Sequence, residues 1–258
     1  RNEIGAVDSI PLIASSIMSK KIASGSDVIV IDLKVGKGAF MKNIKNATSL
    51  AKTMVKIGEY YGKKVICTLS DMNIPLGKNI GNALEVKETI DFFNGIYDKR
   101  LYELSVYISS LMISSAKGIS QAKAKKLVIN LLESGHAKNK FYEWIKAQGG
   151  DIKKLKGKAK KYIVVSEKEG YINNIDSLKL SGLVFDLGAG RHKKTDKIDY
   201  SVGVILNKTL GEKVYKGDIL GTIYYNKKIE NMDKLLADSF KIEKKKKRPK
   251  KIIIKTIK

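Results

Sequence analysis

The sequence predicts an α/β protein, a mostly parallel sheet flanked by helices, joined to a small C-terminal α+β domain rich in strands. Three observations carry that expectation. Two short β-branched runs, residues 27–34 (DVIVIDLK) and 63–70 (KKVICTLS), are nearly continuous in apolar residues, as strands buried on both faces of a parallel sheet are. Between them a helical stripe of Ile44, Ala47, Leu50, Ala51, Met54 and Val55 completes a β-α-β unit. Near residue 160 the apolar spacing changes from helical to alternating. A chain of 258 residues with 43% apolar content is long enough for two unequal domains, and the expected division is 1–159 and 160–258.

The elements follow in order. Residues 8–21, DSIPLIASSIMSKK, read as a helix with Ser9 at the cap and Pro11 in the first turn. Ile13 and Ile17 share its inner face, yet Ser16 and Lys20 fall on the same stripe, where a plain core helix would place leucine or valine. By itself Lys20 reads by default as a helix-end lysine reaching for water. After the second strand, residues 82–95 are helical and pack on an open sheet whose ligands bind beyond the carboxyl ends of the strands. Three more helical patterns over 101–112, 120–135 and 139–150 are expected to cover that sheet, the last two closing at Gly135 and Gly149. Residues 151–161, rich in lysine with a central glycine, read as a linker. Beyond it, short strands with Gly and Asn at the turns fill 162–176, 201–226 and 250–257, and residues 229–239 form one helix.

Composition narrows the function. The net charge of +24 invites a nucleic-acid reading. Of 50 basic residues, however, only Arg1, Arg100, Arg191 and Arg248 are arginine, and the lysines are spread along the chain. Phosphate-fork and base-edge recognition favour arginine, and no recognition module is present. The run 241–251, KIEKKKKRPKK, reads as a solvated surface segment. A non-catalytic basic protein that binds polyanions is the alternative from another class. Cys67 is the single cysteine and excludes an internal disulfide, which fits a cytoplasmic location. No stretch is long and apolar enough to suggest a membrane partner. His136 and His192 lack partners at metal-ligand spacing. Gly36 and Gly38 form a lone G-x-G after the first strand, equally a tight turn or a ligand loop, and place Phe40 near any site there. Residues 195–199, TDKID, have the wrong surrounding order for a lipoyl-carrier hairpin.

Four longer blocks, VDSIPLIASSIMSKK, DLKVGKGAFMK, SDMNIPLGKNIGNALEVKE and LGAGRHKKTDKIDYSVGVIL, together resemble the pyrimidine-nucleoside phosphorylases, the thymidine phosphorylases among them. They occur in the same order over nearly the whole chain. The resemblance implies pentosyl transfer: inorganic phosphate as co-substrate attacks the sugar of uridine, thymidine or deoxyuridine and releases the base. It implies base-holding residues at Arg1, eight residues before Ser9, and at Ser16 and Lys20, with Arg1 and Lys20 catalytic and Ile13, Ile17 and Phe40 as apolar lining. The apparent fault in the first helix is then one wall of a base pocket. The resemblance also implies no organic cofactor, a homodimer, and a monovalent-cation site for potassium at Leu76, Asn79 and Glu88. The family's phosphate-binding loop lies upstream of the position of Arg1, so this chain by itself is expected to be inactive. A sister phosphoribosyltransferase would need a magnesium-binding acidic pair at a strand end, and the sequence shows none.

Overall fold

The computed structural model describes residues 9–155, 158–191 and 193–258. Arg1 and His192 lie outside the described residues. Two compact units make up the chain, and they interleave along it. One comprises the described residues up to Met72, together with Glu103–Asn130 and Lys251–Lys258; the other comprises Asn73–Tyr102 and Leu131–Lys250. This differs from the expected cut after residue 159, because segments distant in sequence return to each unit.

In the first unit, α1 (Ile10–Ala23), β1 (Val28–Val35), α2 (Ile44–Tyr60) and β2 (Lys64–Asp71) form the expected β-α-β unit with a helix in front. Ser9 occupies the cap position of α1, but its hydroxyl makes no capping bond; Asn43 does cap α2, accepting from Asn46 N at 2.8 Å. The predicted stripe of α2 is buried as read. Strand β1 pairs with β2 in parallel, with Asp32 opposite Thr68 and Lys34 opposite Ser70. The third strand of this sheet is β10 (Ile253–Ile257), antiparallel to β2. The sheet is therefore mixed, and its parallel character rests on the β1–β2 pair. The expected placement of residues 250–257 among the C-terminal strands is corrected: their isoleucines find the apolar face of β2, and Ile254 and Ile257 pack on the core of Ile13, Met18, Leu50, Met54 and Leu69. Helix α4 (Lys99–Lys117) reaches the other face of this sheet through Tyr107, whose hydroxyl lies 2.9 Å from Thr256 Oγ1.

The second unit holds β3 (Asn79–Ile80), α3 (Asn82–Phe93), α6 (His136–Ala147), β4 (Lys160–Val165), β5 (Gly170–Ile175), α7 (Ser177–Val184), β6 (Gly203–Leu206), β7 (Lys213–Val214), β8 (Ile219–Tyr225), α8 (Met232–Ala237) and β9 (Phe240–Glu243); α5 (Gln121–Glu133) is divided, its residues up to Asn130 belonging to the first unit. Its strands form two antiparallel sheets, in the orders β3-β6-β8-β4 and β7-β5-β9. They enclose Ile172, Leu180, Leu183, Val204, Leu220, Ile223 and Leu236. Helix α6 belongs here: Phe141 meets Phe93 of α3 with ring centroids 5.2 Å apart. Helix α7 was not expected, being short and interrupted by Gly182; Asp176 caps it by accepting from Leu178 N and Lys179 N. The lysine run after β9 is anchored at its start. Asn173 Nδ2 donates to Glu243 and to Lys245 O, Lys247 N donates back to Asn173 Oδ1, and Lys241 and Lys247 pair with Glu243. These donors, Lys247 foremost, hold the Glu243 carboxyl down at about 2.

One close approach fixes the register of β3 against β6. Gly81 (φ 131°) and Gly203 (φ 156°) face each other so closely that a Cβ on Gly203 would sit 2.2 Å from Ile80 O, and one on Gly81 would sit 2.5 Å from Val202 O. Only glycine allows both the backbone angle and the contact.

Candidate functional site

Helix α1 sets out the first group of predicted residues. Ile13, Ala14 and Met18 are buried, and Ile17 is half-buried against the same core. With 3.6 residues per turn, Ser16 and Lys20 lie about 60° and about 20° to one side of Ile13, whereas Ala14 and Met18 lie on the other. The two polar residues thus flank the buried stripe instead of occupying its centre: Ser16 is half-buried and Lys20 is exposed. This refines the expectation of an inward-facing pair. One turn apart, they present a hydroxyl and an ammonium side by side next to an apolar surface. Among the described residues neither side chain has a hydrogen-bond or ion-pair partner. Arg1, the third predicted base contact, lies outside the described residues.

Phe40 comes from the turn after β1, and that turn is a built one. Gly36 (φ 139°) donates to Met41 O at 2.9 Å, Ala39 N to Gly36 O at 3.0 Å, and Gly38 N to Met72 O at 3.0 Å. Met72 N closes back on Val35 O at 2.8 Å, so the G-x-G is stitched to the end of β2. Met41 is buried as an anchor, which leaves Phe40 49% exposed at the carboxyl end of the parallel strands, where ligands bind in such sheets.

The predicted cation residues lie in the second unit. Glu88 of α3 folds back on the loop before it: its Oε1 accepts from Lys78 N at 2.6 Å and Asn79 N at 3.3 Å. A Cβ on Gly77 would meet Glu88 Oε2 at 2.2 Å, so glycine lets the chain lie directly against the carboxylate. Asn79 uses its side-chain amide internally, donating to Leu84 O at 2.9 Å, which leaves its role to the main chain. Leu76 is half-buried in the same loop. Burial pushes the Glu88 carboxyl above its ordinary value, the two backbone amides pull it back, and Asp98 and Glu85 add to the rise. A half-buried carboxylate beside like charges, with Oε2 lacking a hydrogen-bond donor among the described residues, is the environment a hard cation offsets. Among those residues no group of three or more His, Cys, Asp or Glu side chains could hold a metal, so an ion there would draw on carbonyl oxygens.

One cluster went unread in the sequence. On the sheet face opposite α1 and α2, Asp32 Oδ1 accepts from the Ser70 hydroxyl and Asp32 Oδ2 from Lys34 Nζ at 2.6 Å. The signal was present: an aspartate and a lysine at alternate positions inside an otherwise apolar strand.

Comparison with known proteins identifies the family. Residues 1–138 match the model of the glycosyl transferase family a/b domain, and residues 171–243 match the pyrimidine nucleoside phosphorylase C-terminal domain. The chain is 42% identical to the thymidine phosphorylase of Metamycoplasma hominis, over 89% of this chain and 87% of that one. It is 43% identical to the pyrimidine-nucleoside phosphorylase of Bacillus subtilis (strain 168), over 97% of this chain and 60% of that one. Against the enzyme of the same name from Staphylococcus aureus (strain bovine RF122 / ET3-1) it is again 43% identical, over 94% of this chain and 58% of that one. The chain thus spans about three fifths of the length of these last two relatives. Two domain models in the right order, together with identity above two fifths along nearly its whole length, place this chain in the pyrimidine-nucleoside phosphorylase family.

Proposed function

We propose that this chain supplies the base-binding wall for phosphorolysis of pyrimidine nucleosides. In that reaction a phosphate oxygen forms a bond to C1′ of the pentose as the bond from C1′ to the ring nitrogen breaks. The electron pair leaves with the pyrimidine, which then takes up a proton, giving a pentose 1-phosphate and the free base. The observation that carries the reading is the placement of Ser16 and Lys20 side by side on the flank of α1, beside Ile13 and Ile17.

Their chemistry suits the leaving group. Negative charge grows on the departing ring and spreads to its carbonyl oxygens, so a cation fixed there stabilises the transition state more than the ground state. Lys20 takes that role and Arg1 shares it. The Ser16 hydroxyl both donates and accepts, matching a ring edge that carries an N–H beside a carbonyl. Ile17 and Phe40 exclude water from the faces of the ring, with Ile13 buried behind Ile17 in the core instead of lining the pocket itself. Calorimetric titration of the full chain with uracil and thymine tests this reading. Both bases should bind, and Ser16→Ala should weaken them about tenfold, the cost of one such hydrogen bond. A chain that binds no pyrimidine, or whose affinity ignores Ser16, would sink it.

Leu76, Asn79 and Glu88 would hold potassium through two carbonyl oxygens and a carboxylate, where the ion neutralises the buried charge and fixes the loop. Adding potassium chloride should therefore raise the melting temperature of the chain beyond what the same concentration of choline chloride does, and Glu88→Gln should abolish the difference. The pH dependence has a definite sign. A carboxyl whose folded pKa is raised contributes stability that is present below the unfolded value of 4.5 and lost as pH rises toward the folded value. Without potassium, Glu88→Gln should gain stability relative to the parent over that interval.

A further inference from the structure

We propose that Lys34, oriented by Asp32 and Ser70, is a contact for the pentose hydroxyls of the nucleoside; the assignment rests on the phosphorylase reading above. Side chains alternate along β1 and β2. Ile29, Val35, Val65, Cys67 and Leu69 enter the core shared with α1 and α2, while Val30, Asp32 and Lys34 and their partners Ile66, Thr68 and Ser70 occupy the other face. That second face changes character along the strands, from Val30 opposite Ile66 to Asp32 opposite Thr68 and then Lys34 opposite Ser70. Polarity therefore accumulates toward the carboxyl ends, the position at which open α/β sheets bind ligands. Neighbouring hydroxyls are tied up with one another: Thr68 Oγ1 lies 3.0 Å from Thr256 Oγ1, which in turn meets the Tyr107 hydroxyl.

Within this face the pairing runs in one direction. Ser70 donates to one oxygen of Asp32, and Lys34 donates to the other at 2.6 Å, so the carboxylate is held at both ends. The Lys34 ammonium carries three protons and places one on Asp32. It has no other partner among the described residues and remains 31% exposed. A lysine fixed by a structural carboxylate has already lost its rotamer freedom, which lowers the cost of engaging a ligand.

Charge decides the ligand class. The Asp32–Lys34 pair is neutral overall, and a phosphate dianion brought to Lys34 would also meet the Asp32 carboxylate. A neutral hydroxyl-bearing ring meets a donor with no such penalty. The chain also runs from Lys34 straight into the Gly36 turn that carries Phe40, so this donor stands two residues before the loop assigned to the ring faces.

Titration of the full chain with uracil and with uridine separates this idea from the reading it rests on. Uracil lacks the pentose, so Lys34→Met should leave its affinity within twofold while weakening uridine about tenfold. Ser70→Ala keeps both charges but releases Asp32; it should weaken uridine about threefold and leave uracil unchanged. Ser16→Ala should weaken both. Uridine affinity unchanged in Lys34→Met, in a protein that still binds uracil, overturns the pentose contact and leaves the base site standing. Equal losses for uracil and uridine in Lys34→Met overturn it as well, since they mark a structural effect. A parent chain that binds neither ligand removes the phosphorylase reading and this inference with it.

Discussion

Gly203→Ala should lower the melting temperature by about 10 °C. The new methyl group would stand 2.2 Å from Ile80 O and 3.1 Å from Gly81 Cα, both backbone atoms that no rotamer change can move aside. The residue also sits at φ 156°, where a Cβ is strained before any contact is counted. Strain and clash together place the loss at about 3 kcal/mol or more, and each kcal/mol is worth about 2–4 °C in a domain of this size. Gly182→Ala is the matched control: it lies inside α7 with nothing within 4 Å of the added carbon, so it should hold or slightly raise stability. Differential scanning calorimetry of the two variants reads the contrast. Equal melting temperatures would mean that the β3–β6 crossing is not as close as described.

Lys20→Ala should have the largest functional effect. If the ammonium meets charge that develops only as the glycosidic bond breaks, its loss should cost about 3 kcal/mol in kcat/KM, roughly a hundredfold, in a preparation that turns over uridine with phosphate. Uracil affinity should fall far less, because the free base carries little of that charge. Lys21→Ala, at the next position and equally exposed, should change neither quantity. Parallel loss of binding and turnover in Lys20→Ala would instead make this residue a ground-state contact. Its exposure means that folding should be nearly unaffected, so the kinetic result can be read directly.

What could be read from the sequence follows from how local each signal is. The α2 stripe and the two strand runs declare themselves within eight to seventeen residues, and they fold as read. The terminal strand was legible as a strand but not in its partnership, because nothing in an isoleucine-rich segment says which sheet it joins. Helix α7 was missed because eight residues with an internal glycine carry less than three turns of periodicity. Ser16 and Lys20 stood out as polar residues on an apolar stripe, and the structure moves them only from its centre to its flank. Asp32 and Lys34 were hidden by the opposite effect: a strand dense in valine and isoleucine reads as uniformly buried, although its alternate positions face different surroundings. Glu88 was assigned through family resemblance, and its folding back onto Gly77 is a matter of tertiary approach that spacing does not encode.

The pairing of Ile257 with Cys67 joins residues 190 positions apart. A chain made from its amino end on the ribosome therefore has β1, α1 and α2 available long before the strand that covers the second edge of β2. Until residues 251–258 have been made that edge stands bare, so the first unit reaches its finished form only once they emerge. Nascent chains stalled before residue 251 has emerged should be held in an unfinished, protease-sensitive state that the next eight residues would end.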